Sequence, residues 1–121
     1  MYIYTPMMTI NKDLVAATSI PVILAVLHQG ESYGYEIIQK VKEASQGKLQ
    51  FSDGTLYPIL RKLEDKELIK SEWRIAENEK RRRYYHLTPA GEDHFRNEQT
   101  SWDLMHQLIH DLWKQPKTYL T

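Results

Sequence analysis

The spacing of apolar residues changes period between residues 53 and 88, and that change restricts the fold more than any other feature of the chain. In DGTLYPILRKLEDKE, Leu56, Ile59, Leu60 and Leu63 recur at i, i+3, i+4 and i+7, which predicts a helix over about residues 53–67 with one buried face. The opposite face is Gly54, Pro58, Arg61 and Asp65, flanked by Thr55, Tyr57 and Lys62. Pro58 removes one helical hydrogen bond and presses its ring on the carbonyl of Gly54, a residue small enough to yield. The outer surface of this first turn is poor in side-chain bulk and can approach another body closely. From residue 68 the pattern alternates instead. LIKSEWRI sets Ile69, Ser71, Trp73 and Ile75 against Lys70, Glu72 and Arg74, a half-buried antiparallel strand. KRRRYYHL returns as its partner, with Arg81, Arg83, Tyr85 and Leu87 on one side and Lys80, Arg82, Tyr84 and His86 on the other. The turn falls around Glu77 and Asn78. Leu87 anchors the inward side, so Tyr85 packs inside and the cations near the tip project beyond the core on both faces.

The charge of that tip stands out against the rest of the chain. Sixteen Lys and Arg balance sixteen Asp and Glu overall, yet Lys80, Arg81, Arg82 and Arg83 are adjacent. Like charges side by side repel, so the fold gains nothing from gathering them. Residues 48–83 carry ten cations and seven anions, a net +3, whereas residues 1–47 carry −1 and residues 84–121 carry −2. Either the run decorates a solvated strand or it meets an anion.

Before this segment, residues from about 12 to 28 read as a helix whose interior is covered by Leu14, Ile20, Ile23, Leu24 and Leu27, with Gly30 as its stop and Pro21 as a kink or true start. ESYGYEIIQKVKEASQG then offers Ser32 as N-cap, an inward stripe of Ile37, Val41 and Ala44, and Gly47 as terminator. KLQF, with Leu49 and Phe51 alternating, offers a third strand of three or four residues. After the hairpin, Thr88 caps a last helix with Pro89 at its first position, running to about Lys114. Phe95, Trp102, Met105, Ile109 and Leu112 fall at heptad a and d spacing on it, and Leu108 and Trp113 widen the stripe. So broad an apolar face needs a cover, either the first helix around Leu14 or a second copy of the protein. A symmetric dimer is the economical answer.

Three helices, the third polar on its outer face, followed directly by a cationic hairpin, make the order of a winged helix-turn-helix. The expected fold is mainly α: residues 1–88 as the winged helix-turn-helix with a two-stranded wing, three-stranded if KLQF joins it, and residues 89–121 as a long C-terminal dimerisation helix. The third helix would enter the major groove, and the wing would lay Lys80 to Arg83 on the flanking phosphates of double-stranded DNA. A basic run by itself is more often a solvated face; the helix order is what favours DNA. With 121 residues, 41% of them hydrophobic, there is material for one small core and little more. The absence of Cys excludes disulfides, Cys-ligated zinc and thiol catalysis. No nucleophile with a matched base, no paired acids and no Gly-rich phosphate loop is present, so neither an enzyme nor a cofactor is expected. The apolar run LVAATSIPVILAVL is too short to span a membrane, and MYIYTPMMTI lacks the positive start of a secretory signal, so no membrane partner and a cytoplasmic location are expected. The competing reading is a winged-helix module that binds protein instead of DNA.

Several stretches also resemble one family. YGYEI at 33–37, GTLYPILRKLE at 54–64, the pair LIKSEW and RRRYYHLTPAG, and a single C-terminal helix bearing Trp102 are together similar to the PadR-type transcriptional regulators over about residues 14–113. The single terminal helix is similar to the family's short-tailed subgroup, which includes multidrug-sensing repressors. The resemblance implies a dimeric repressor with Tyr33 and Tyr35 near the DNA backbone. It implies further contacts from the third helix between Ser52 and Lys62, through Gly54, Thr55, Tyr57, Pro58 and Arg61, and from the wing. On the residues alone, Tyr33 and Tyr35 are equally readable as packing. The chain departs from the family pattern in two places: Glu67 stands where Gly often precedes the first wing strand, and AENE replaces a Gly-containing wing turn.

Two features of the last helix remain. His106 and His110 lie at i and i+4 with Asp103 and Asp111 close by, a spacing that can seat Zn²⁺, but there is no Cys and no third histidine in phase. An exposed pair on an amphipathic helix is the more ordinary reading, and no metal is assigned; a metal-sensing repressor stays as an alternative. Trp102 lies seven residues after Phe95 and seven before Ile109, at the seam, where spacing alone makes it a dimer-core residue. The resemblance implies a further role, with the tryptophans of two subunits stacking on a planar aromatic effector between them. His106, one turn further on, supplies no fixed carboxylate to such a site, so neutral and weakly acidic aromatics are expected beside cationic ones.

Overall fold

The computed structural model describes residues 10–116, so the expectation for the first ten residues, and the two outer ends of the expected domains, fall largely outside what it describes. Four helices and three short strands follow in the order α1 (Lys12–His28), β1 (Ser32–Tyr33), α2 (Gly34–Ala44), α3 (Asp53–Asp65), β2 (Ile69–Ile75), β3 (Arg81–Leu87) and α4 (Pro89–Lys114). The mainly helical winged-helix architecture expected from the sequence is what forms. Among the described residues no helix is long and apolar enough to cross a membrane.

The core is built from Ile23, Leu24 and Leu27 of α1, Ile37 and Val41 of α2, Leu56, Leu60 and Leu63 of α3, Ile69 of β2 and Tyr85 of β3, closed by Phe51. These are the i, i+3, i+4 faces of the helices and the innermost residues of the wing. Pro21 sits inside α1 and Pro58 inside α3, and neither ends its helix. Two expected inward residues are exposed: Leu14, in the first turn of α1, and Ala44, the last residue of α2.

The third strand is not where KLQF suggests. Residues 48–52 form no strand; Phe51 is buried and Leu49 half-buried, so they pin a loop to the core. The sheet is ordered β1-β3-β2, and Ser32 and Tyr33 pair with Tyr85 and Tyr84. Ser32 is therefore no N-cap. Tyr33 occupies that position without a side-chain cap, while the buried Ser32 hydroxyl donates to Glu36 Oε1 at 2.6 Å. Thr88 does cap α4, accepting from the Gly91 N–H at 3.0 Å, with Pro89 in the first turn as expected.

Both departures from the family pattern fall at left-handed backbone. Glu67 (φ +59°) follows α3, whose end is closed by Glu67 N–H to Glu64 O at 2.9 Å and Leu68 N–H to Leu63 O at 3.0 Å. This is the helix stop in which glycine is usual at the first residue outside the helix. Glu79 (φ +62°) ends the wing turn, where Glu79 N–H donates to Ala76 O and Ala76 N–H to Lys80 O, both at 2.8 Å. A type I turn completed by one left-handed residue is a common hairpin loop, and again favours glycine at that place.

Glycine is indispensable where α4 meets β2. A Cβ at Gly91 would lie 1.9 Å from the Leu68 carbonyl oxygen. Gly91→Ala is expected to lower stability by roughly 1–3 kcal/mol, as overpacking against an unyielding backbone does. Glu67→Gly is expected to raise it by about 0.5–1 kcal/mol, since relief of left-handed strain outweighs glycine's entropy in the unfolded chain. Urea denaturation of the two variants checks both signs; a neutral Gly91→Ala would mean that α4 is not seated on this carbonyl.

Candidate nucleic-acid interface

The outward face of α3 forms as the spacing demands: Gly54, Thr55, Tyr57, Pro58, Arg61 and Lys62 are all exposed. Ser52 starts the helix, its hydroxyl accepting from the Thr55 N–H at 3.2 Å, so two of the expected contact residues also hold the first turn together. Tyr57 leans across to α2. A Cβ at Gly34 would lie 2.3 Å from the Tyr57 hydroxyl oxygen, so the absence of a side chain there is what lets the ring approach the start of α2. Tyr35 beside it is exposed.

The wing register pairs Trp73 with Arg83, Arg74 with Arg82 and Ile75 with Arg81. Two arginines directly opposite would repel across the strands. Arg74 is instead neutralised by Glu72 on its own strand and by Glu31 ahead of β1. Those partners hold its guanidinium above its ordinary pKa, and the hydrogen bond and charge of Arg74 hold the Glu72 carboxyl below the usual carboxylate range. Arg82 is left facing Tyr33, 4.4 Å above the ring centroid, and Tyr33 meets Tyr84 edge-on at 5.3 Å. Arg81 lies 4.8 Å over Trp73. Such cation–π contacts orient a guanidinium without neutralising it. Among the described residues, Arg61, Lys62, Lys80, Arg81 and Arg82 form no salt bridge, whereas Arg83 pairs with Glu64. The surface pairing of Arg61 and Lys62 with Asp65 and Glu64 that the sequence allows does not form.

The aromatic rings of Tyr33, Tyr35, Tyr57 and Trp73 and the four cations of the run line one concavity of about 670 Å³. Residues scattered over α2, α3 and the wing thus converge on a single surface, cationic and aromatic together. Ser52, Gly54, Pro58, Arg61 and Lys62 lie outside that concavity, Arg61 opening onto a neighbouring cleft with Glu64, Asp65 and Arg83. Tyr85 is buried as expected, and burial pushes its phenol up.

Alternation makes Trp73 half-buried, but it is 57% exposed, with Ile75 more so. A signal for this exists in the sequence: residues placed opposite cations that project beyond the core must project beyond it too. Gly34 carries no signal of its own, because its role arises from Tyr57, a neighbour distant in the chain.

On α4, Phe95, expected at a seam, packs against the core, its ring stacked on His28 at 4.5 Å, and His28 Nδ1 lies 2.8 Å from Glu92 Oε2. The first turns of α4 lie on α1, which explains the difference. Trp102 is partly buried and its indole N–H donates to Glu98 Oε2 at 3.0 Å. A carboxylate does therefore stand beside Trp102, one turn before it, where the expectation of a site without one considers only His106, one turn after. His106 and His110 lie with ring centroids 4.2 Å apart, and no group of three metal-ligating side chains gathers among the described residues.

Residues 23–97 match the sequence pattern described as the transcriptional regulator PadR-like family. The structure is similar to that of a transcriptional regulator from Clostridium thermocellum, with a TM-score of 0.75 and 31% identity over 83% of this chain and 97% of that one. A PadR-like transcription factor from Bacteroides fragilis gives a TM-score of 0.70 and 31% identity over 83% and 94%. The transcriptional regulator YqjI of Escherichia coli is 36% identical over 70 residues, which is 58% of this chain but only 32% of that longer protein. The matched span contains the core of α1, the whole of α2 and α3, the wing and the seating of α4, and this chain belongs to the PadR-like transcriptional regulator family, a regulator and not an enzyme.

Proposed function

We propose that this protein is a dimeric, sequence-specific DNA-binding repressor. The observation that carries the reading is the concavity in which Tyr33 of β1, Tyr35 of α2, Tyr57 of α3 and the cations of the wing meet, three of those cations having no anionic partner among the described residues. In this reading α3 enters the major groove of a near-palindromic duplex, with Ser52, Gly54, Thr55, Tyr57, Pro58, Arg61 and Lys62 toward it. Tyr33, Tyr35, Lys80, Arg81 and Arg82 meet the flanking backbone. Phosphate contacts supply salt-dependent affinity, and the few groups on α3 supply discrimination. Two copies side by side set half-sites about 10 bp apart or a multiple of that. Repression follows from occupancy of the promoter, and the working place is the cytoplasm, where that DNA lies. Residues up to 88 form the DNA-binding unit and residues from 89 the dimerisation helix.

A gel shift with the gene's own upstream DNA, repeated across salt, tests the reading. A folded protein that shifts no duplex at low salt sinks it. Arg82→Ala is expected to weaken specific and random duplex alike and to shallow the log-log salt dependence by roughly 0.9, the share of one neutralised phosphate. Arg61→Ala is expected to lower discrimination instead.

The exposed stripe of Leu104, Met105, Leu108, Ile109 and Leu112 on α4, with Leu14 on α1, supports the dimer. No element of the described chain covers these side chains, and they are too many to leave wet. Met105→Asp or Ile109→Asp is expected to release monomers by placing an unpaired carboxylate in the seam. Sedimentation that still finds a dimer would move the interface elsewhere. Trp102, with Glu98 on its indole, supports a planar aromatic effector held between the two copies and coupled to DNA affinity. Titration of planar dyes should quench emission in the wild type and not in Trp102→Ala. A binder that leaves the gel shift unchanged would reduce Trp102 to packing.

A further inference from the structure

Arg83 differs from its three neighbours in the run. Its Nε donates to Ser71 Oγ at 2.7 Å, the Ser71 hydroxyl donates to Glu64 Oε2 at 2.6 Å, and its Nη2 lies 3.3 Å from Glu64 Oε1. Three residues from β3, β2 and α3 close one ring of polar contacts. The guanidinium also lies 5.8 Å from the Tyr85 ring and 5.9 Å from that of Trp73. Inward of Arg83, Ile69 and Tyr85 hold the hairpin on the core; Trp73, directly across from Arg83, and Ile75 beyond it are exposed. Arg83 is thus the outermost tie between the wing and the helix beside it. To hold a phosphate, Arg83 would have to release a carboxylate that is itself only 30% exposed, and leave it poorly paired. Lys80, Arg81 and Arg82 face no such penalty.

We propose that Arg83 is a positioning residue, which fixes the angle between α3 and the wing through Glu64 and Ser71 and does not itself bind the DNA backbone. The proposal rests on the DNA-binding reading for its consequence and on the free protein for its geometry. Without the clamp, the outer hairpin keeps its ties to Glu31 and Tyr33 but loses its link to α3, so its angle to that helix is no longer fixed. Arg82 and Arg81 then meet phosphates only after the wing has been ordered again, so affinity falls while the same phosphates are neutralised in the complex.

The two roles open to Arg83 assign opposite signs to Glu64→Gln. A phosphate-binding Arg83 would be freed by removal of its carboxylate partner, and affinity would rise. A positioning Arg83 loses its anchor, and affinity should fall by roughly threefold to tenfold, the lower part of the range for coupled pairs, as suits a part-exposed site. Arg83→Gln should fall by a similar factor with the salt slope of the wild type, and the double variant should be no worse than either single one. Arg82→Gln, measured beside them, should shallow the slope. A rise for Glu64→Gln, additive losses in the double variant, or a slope shallower by roughly 0.9 for Arg83→Gln would overturn the proposal. A second readout needs no DNA. In a background with Trp102 and Trp113 replaced by Phe, Trp73 emission should shift in both Arg83→Gln and Glu64→Gln, because the first removes and the second unclamps the guanidinium 5.9 Å from the indole while Arg81 stays over it in both; unchanged emission in Glu64→Gln would also overturn it. Absence of any wild-type gel shift removes the DNA reading and leaves the clamp to be decided by the emission.

Discussion

The arrangement of every functional element depends on the few atoms where α3 ends and α4 begins. Thr88 is buried there, its hydroxyl donating to the Glu67 carbonyl at 2.7 Å and accepting from the Gly91 N–H at 3.0 Å, while its own N–H donates to the Leu68 carbonyl at 3.0 Å. One side chain thereby satisfies a carbonyl at the end of α3 and an orphan amide at the start of α4. Gly91 lets the first turn of α4 settle on the Leu68 carbonyl, a contact closer than any side chain would allow. Both strands of the hairpin enter or leave at the same point, since Ile69 pairs with Leu87. The exposed face of α3, the base of the wing and the first turn of α4 are thus tied together within a few bonds. The strained backbone at Glu67 is the cost of turning the chain so sharply out of α3.

From that junction outward, packing weakens and electrostatics takes over. Ile69 and Tyr85 are buried at the base of the hairpin, with Ser71 across from Tyr85; further out come Trp73 and Arg83, opposite one another, then Ile75 and Arg81 near the tip. A two-stranded ribbon with no apolar face is barely stable by itself. Here the outer part is held by side-chain ties of graded kind: a charged ring through Glu64, guanidinium faces on Tyr33, Tyr84 and Trp73, and the Arg74 bridge to Glu31. The gathering of cations, unfavourable when judged from the sequence, is tolerable because each has an aromatic or acidic neighbour or projects into water. Stacking preserves the charge, so the surface stays available to an anion.

Much of this is legible in the sequence because it depends on local periodicity. The bounds of α1 and α4, the buried face of α3, the strands β2 and β3, the burial of Tyr85 and the Thr88 cap all follow from patterns within about ten residues of one another. What the sequence hides depends on pairing across the chain. KLQF alternates in a way that suits a strand and Ser32 with Tyr33 does not, yet the edge left open by β3 takes Ser32 and Tyr33. Ser32 looks like a cap because caps are read locally, whereas its hydroxyl serves Glu36 and its backbone pairs with Tyr85. Trp73 and Ile75 look inward because alternation gives a side and not a depth. In the candidate site, the individual tyrosines and cations can be named from the sequence. Their convergence on one concavity, the space that Gly34 leaves for Tyr57 and the diversion of Arg83 to Glu64 cannot, since each joins residues of different elements that only the fold brings together.

Net neutrality is itself part of how such a surface works. A chain with a uniformly positive charge would be attracted to any polyanion by any face. Here α3 and the wing carry cations that no described side chain neutralises, while residues 84–121 carry a net −2, with Glu92, Asp93, Glu98, Asp103 and Asp111 spread along α4. α4 starts from the junction at Thr88 and runs for about 39 Å, so the anions are spread along an element separate from those that carry the cations. The molecule therefore has an electrostatic direction: a polyanion is drawn to one surface and repelled by the helix that the proposed dimer would share. At a Debye length of about 8 Å in physiological salt, the attraction acts only over the last approach, so orientation and not long-range capture is what this distribution supplies. The same distribution leaves the stripe on α4 to apolar contact. A seam between two like-charged helices gains nothing from their charges, and whatever holds it must come from Met105, Leu108, Ile109 and Leu112.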